Sequence, residues 1–70
     1  MQYESLVKLV SARCRELNTD IYKIASKYGW PFAPTYGLIT GEMEPSLQML
    51  ADLAEELAVA PQELTEALKG

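Results

Sequence analysis

Between Gly29 and Gly41 the chain reads GWPFAPTYGLITG, and this window holds the side chains with most to offer a binding partner. Trp30, Phe32, Pro34 and Tyr36 are bulky and apolar. Clustered on a surface, aromatic residues anchor protein partners, whereas Lys and Glu are depleted at such anchors. Phe32 and Tyr36 stand four apart and share one face of any helix that runs through both. A second chemistry is offered upstream: Lys23 and Lys27, with Arg13, are cations that could hold phosphate groups. The plainer reading of the chain's cations is a solvated surface.

The rest of the inventory excludes more than it offers. With no His and a single Cys, zinc sites of the usual types cannot be assembled. Cys14 has no intrachain disulfide partner and shares the helical phase of apolar neighbours, so it is expected to be a buried thiol in a reducing, cytoplasmic setting. No nucleophile has a plausible base, no carboxylate pair implies a cleft, and no Gly-rich loop follows a strand. The expectation is a non-enzyme without metal or cofactor. MQYESLVKLV lacks a basic stretch followed by a long apolar run, and nowhere do apolar residues continue for the ~18 needed to span a bilayer, so no membrane partner is expected.

The elements that must carry these residues are helical. Seventy residues allow one small domain, and 49% hydrophobic against 23% charged residues suits a folded core. Leu6, Val10, Cys14 and Leu17 form an apolar stripe over about 3–17. Asn18, Thr19 and Asp20 are capping residues that end this helix and begin another over 20–28, with Ile21, Ile24, Ala25 and Tyr28 inward and Gly29 as its stop. Pro34 is tolerated only within a first turn, which predicts a short third helix over 33–40, stopped by Gly41 and dividing Leu38 and Ile39 between core and rim. Glu44-Pro45-Ser46 opens a fourth helix over 46–58, with Leu47, Leu50, Ala51, Ala54, Leu57 and Ala58 as the inward stripe. Met49 falls off that stripe and is expected to be exposed. A fifth helix over 61–68 begins at Pro61 and turns Leu64, Ala67 and Leu68 inward. No segment alternates with period two, and the chain has no internal repeat.

Charge is unevenly spread. Residues 1–30 carry five cations against three carboxylates, a net +2, whereas residues 31–70 carry Lys69 against seven, a net −6, for −4 in all. Asp52, Glu55, Glu56, Glu63 and Glu66 read as a solvated outer face, or else as a surface for a basic partner.

Five helices in this order, with Ile24-Ala25 and Gly29 at the second turn, Gly41 followed by Glu44-Pro45-Ser46-Leu47, and the run LQMLADLAEELAVAPQELTEAL, resemble the Cro and phage-repressor (Xre-type) helix-turn-helix family over nearly the whole chain. The resemblance implies a compact all-α, lambda-repressor-like domain, with Leu47, Leu50, Leu57 and Leu64 closing its core. It also aligns Trp30 with a position usually filled by Val or Ile, which favours a core role for that residue. The departures bear on function. Ile21 stands where the family often has a phosphate-binding Gln, Ile39 where Glu is frequent, and Gly37 where a basic or polar residue is common. Pro31, Phe32, Ala33, Pro34 and Tyr36 replace the family's polar recognition residues. Bases are read by bidentate Arg, Asn or Gln, which this segment lacks.

The resulting expectation is a transcriptional regulator that binds another protein, itself a regulator, as an antiactivator or adaptor does, through Phe32, Tyr36, Pro34 and Trp30. The alternative is a DNA-binding repressor acting as a homodimer, with Lys23, Lys27 and Arg13 on phosphates and Thr35, Tyr36 and Thr40 near the groove. A third reading is an oligomerisation module of a longer protein.

Overall fold

The computed structural model describes residues 3–70. The apolar spacing of Leu6, Val10 and Cys14 builds helix α1, Glu4–Glu16, with all three side chains buried. Its polarity suits the helix dipole, with Glu4 in the first turn and Arg13 and Arg15 in the last. Leu17, expected to continue the stripe, is instead the C-cap and exposed. The following Asn18 adopts φ 58°, and the chain turns away before Leu17 can face inward.

Asp20 caps α2, Ile21–Tyr28, by accepting from the Lys23 N–H at 2.9 Å. Gly29 ends it at φ 72°, and the N–H groups of Gly29 and Trp30 both close onto the Ala25 carbonyl. Helix α3, Phe32–Thr40, places Pro34 at its third residue, within the turn that tolerates it, and Gly41 stops it at φ 74°. Ser46 caps α4, Leu47–Leu57, by accepting from the Met49 N–H, and α5, Pro61–Lys69, begins with Pro61 at its first turn. Each helix boundary lies within two residues of the sequence expectation.

Helix α4 turns inward on a face rotated from the expected stripe, of which Leu57 is buried and Leu50 and Ala54 pack half-buried against the core. Met49, Leu53 and Leu57 are buried, whereas Leu47 is 86% exposed and Ala51 and Ala58 are also exposed. Leu47 lies roughly 120° around the helix from Leu53 at 100° per residue, so the two cannot share a face. The segment carries apolar residues on both registers, and its neighbours chose between them. Met49 is therefore a core residue and not an extension of the surface, and Leu47 does not close the core.

Helix α1 packs against α3, α4 and α5, while α2 packs against α3 and α4. The core joins Leu6, Val10, Cys14, Ile24, Leu38, Met49, Leu53, Leu57 and Leu64. The described residues form a compact all-helical domain of five helices without strands, and none of these helices is long and apolar enough to cross a membrane.

Candidate functional site

The outward face of α3 is apolar. Phe32 is 71% and Tyr36 51% exposed, and Ala33 between them is exposed as well. Helical spacing brings the two rings together, with centroids 5.8 Å apart and planes inclined by 19°, a stacked pair. The opposite face, Thr35 and Leu38, is buried, Pro34 and Ile39 lie half-buried at its margins, and Gly37, on the flank next to Tyr36, is buried beneath Met43. The pair is thus held on a helix whose other side is locked into the core, and ordering it on binding costs little side-chain entropy.

Three anchors set the position of α3. The half-buried Trp30 donates its indole N–H to Asp52 Oδ2 at 2.9 Å, tying the α2–α3 turn to α4. Asp52 is only 8% exposed and accepts a second bond from Gln48 Nε2 at 3.0 Å, so it does not belong to the solvated acidic face expected from the sequence. Thr35, only 2% exposed, roots the helix in the interior and satisfies its hydroxyl by donating to the Pro31 carbonyl at 2.8 Å. At the far end Met43 lies over Gly37. A Cβ built on Gly37 would meet the Met43 Cβ, Cγ and Sδ at 2.6–2.7 Å, so the loop can sit on the helix only because a glycine is there.

Most of the residues offered for a DNA contact are committed elsewhere. Arg13 donates from Nε and Nη2 to the Leu57 carbonyl at 3.1 and 2.7 Å and from Nη1 to Glu16 at 2.9 Å, which makes it the cap of the α4 C-terminus. Lys27 pairs with Glu56 at 2.8 Å, and the Tyr28 hydroxyl donates to Glu56 at 3.1 Å and Glu55 at 3.3 Å. Thr35 is 2% exposed and cannot approach a groove, and Thr40 is half-buried with its hydroxyl 3.3 Å from the Gly37 carbonyl. Lys23 remains exposed in the first turn of α2.

The electrostatics of the α2–α4 contact follow from this cluster. The hydrogen bond and charge of Glu56 push Lys27 up, while the bonds from Lys27 and Tyr28 hold Glu56 down. Desolvation first, then the bond to Glu56 and the charge of Glu55, push Tyr28 up to about 12. Burial and the nearby Asp20 raise the Cys14 thiol, which keeps it protonated and weakly nucleophilic. Among the described residues no group of three His, Cys, Asp or Glu side chains is arranged to hold a metal ion.

Sequence reasoning did not find Asp52 as the partner of Trp30 or Met43 as the cover of Gly37. A Trp separated from its Asp partner by the whole of α3 and the loop after it gives no local signal. The Gly37 side of the second contact did carry one, since a glycine within a helix costs about 1 kcal/mol relative to Ala and calls for a packing reason. No family model, curated protein or solved structure matches this chain.

Proposed function

We propose that the chain is a helix-turn-helix domain of the Cro/Xre type whose third helix docks onto another protein, and that it regulates transcription in this way as an antiactivator or adaptor. In this reading α2 and α3 are the two helices of the motif, and the Gly29–Pro31 turn joins them. The observation that carries it is the exposed Phe32–Tyr36 stack, on a helix that presents no Arg, Lys, Asn or Gln. Such a face gains by excluding water against apolar surface and has little with which to read base edges.

Support also comes from what the cations do. With Arg13 on the Leu57 carbonyl and Lys27 on Glu56, freeing either for a phosphate costs an existing bond. Lys23 alone offers at most a weak, salt-sensitive contact.

Two measurements on one set of variants test the proposal. Phe32→Asp with Tyr36→Asp abolishes retention of the partner when immobilised protein is exposed to lysate of its own host, while Lys23→Glu with Lys27→Glu leaves it intact. Both side chains are more than half exposed, so the two substitutions leave the core residues in place and loss of capture is not loss of fold. Selective binding to one duplex sequence at physiological salt, removed by the charge reversals and not by the aromatic changes, overturns the proposal in favour of a DNA-binding repressor.

A further inference from the structure

We infer that the docking surface continues from α3 onto the loop between α3 and α4, and that the segment it receives is cationic, with Lys or Arg flanking a bulky apolar anchor. This rests on the reading of α3 as a protein-docking face and adds the chemistry of the partner. Met43, seated on Gly37 one residue beyond Tyr36, is 48% exposed and adds a third apolar side chain at this end of the helix. Phe32, Tyr36 and Met43 together leave on the order of 300 Å² uncovered, the scale of a functional patch on a small monomer. A thioether on a flexible stem suits the margin of such a patch, since it adjusts to the shape that lands on it.

The residues on either side of Met43 are Glu42 and Glu44, both exposed. Neither is ion-paired among the described residues. The last turn of α3 holds no basic residue to offset these two carboxylates. An apolar patch bounded there by two carboxylates attracts a cation beside the anchor and disfavours phosphates. It also disfavours a second copy of this chain, because pairing the face with itself brings Glu42 and Glu44 of each copy together.

The test titrates the labelled chain with a helix-forming peptide of Leu and Lys in amphipathic spacing, and with its Leu and Glu counterpart, at near-physiological salt. The Leu/Lys peptide is expected to shift the amide resonances of Phe32, Tyr36 and Met43. Glu42→Lys with Glu44→Lys weakens its binding about tenfold. The same two-charge reversal on α5, Glu63→Lys with Glu66→Lys, changes it by no more than about twofold, because those charges are screened from the site. Equal weakening by the two reversals, equal binding of the Leu/Glu peptide, or shifts confined to the acids of α4 and α5 overturns the inference. If Phe32→Asp with Tyr36→Asp abolishes binding of both peptides while the charge reversals do nothing, the aromatic docking reading survives and the cationic one falls. If that double variant binds as wild type does, the docking reading itself is at fault.

Discussion

Trp30 and Asp52 form the one side-chain hydrogen bond that joins the turn before α3 to the middle of α4, at 2.9 Å with the carboxylate 8% exposed. Through it the exposed stack on α3 is referenced to the core and not to a loop. Gln48 completes the carboxylate's bonding from one turn earlier, and no buried side-chain nitrogen or oxygen among the described residues is left without a partner. A buried carboxylate satisfied in this way is costly to disturb from one side only.

Asp52→Ala therefore leaves the indole N–H unpaired and is expected to destabilise the domain by about 1–3 kcal/mol. Trp30→Phe removes the donor and falls in the same range. The double variant should cost less than the two singles combined, because the unpaired group is gone in each background. Urea denaturation of the four proteins measures the coupling. Strict additivity would show that the bond contributes nothing.

Arg13 and Ala58 meet at the C-terminus of α4, and their variants should move stability in opposite directions. Ala58 holds φ 54°, a left-handed conformation that strains a residue with a Cβ, while Arg13 satisfies the adjacent Leu57 carbonyl. Ala58→Gly relieves the strain and is expected to stabilise by about 0.5–1 kcal/mol after the added chain entropy of glycine. Arg13→Met keeps the apolar stem, loses the cap and should cost about 1–2 kcal/mol. Thermal unfolding of both separates the cap from the strain, and under the proposed function neither variant alters partner capture.

The cluster of Lys27, Tyr28 and Glu56 makes stability depend on pH at both ends. Glu56 is held below its ordinary 4.5, so its contribution is complete above that value and is lost as pH falls through the depressed one. Tyr28 titrates near 12 in the folded chain against 10.0 unperturbed, so its contribution is intact below 10.0 and disappears as pH rises toward 12. Lys27, also raised, loses its share over the same alkaline side. Glu56→Gln should flatten the melting temperature on both limbs and lower the Tyr28 midpoint followed by ring resonances. An unmoved midpoint would exclude the hydrogen bond as its cause.

Gly37→Ala tests how the loop is seated on α3. The new methyl group would occupy the space of the Met43 side chain, and moving that chain should cost about 1–3 kcal/mol despite the better helix propensity of alanine. Shortening the neighbour with Met43→Ala should restore part of the loss. A gain in stability for Gly37→Ala alone would mean that Met43 yields freely.

The sequence by itself determined the helices and where they stop. Pro34, which has no N–H to donate, allowed α3 only one short window, Gly41 closed it, and the spacing of Phe32 and Tyr36 put both rings on one face. These are relations within a few residues, where backbone geometry decides. The tertiary structure alone decided which of two apolar registers of α4 turned inward, that Leu17 and Leu47 faced out and Met49 in, and that Arg13 and Lys27 were occupied by Leu57 and Glu56. It also took Asp52 out of the acidic face and Thr35 away from the surface. Each of these depends on which distant group lies opposite, and a helix with apolar or charged residues on several faces does not carry that information until its neighbours are packed against it.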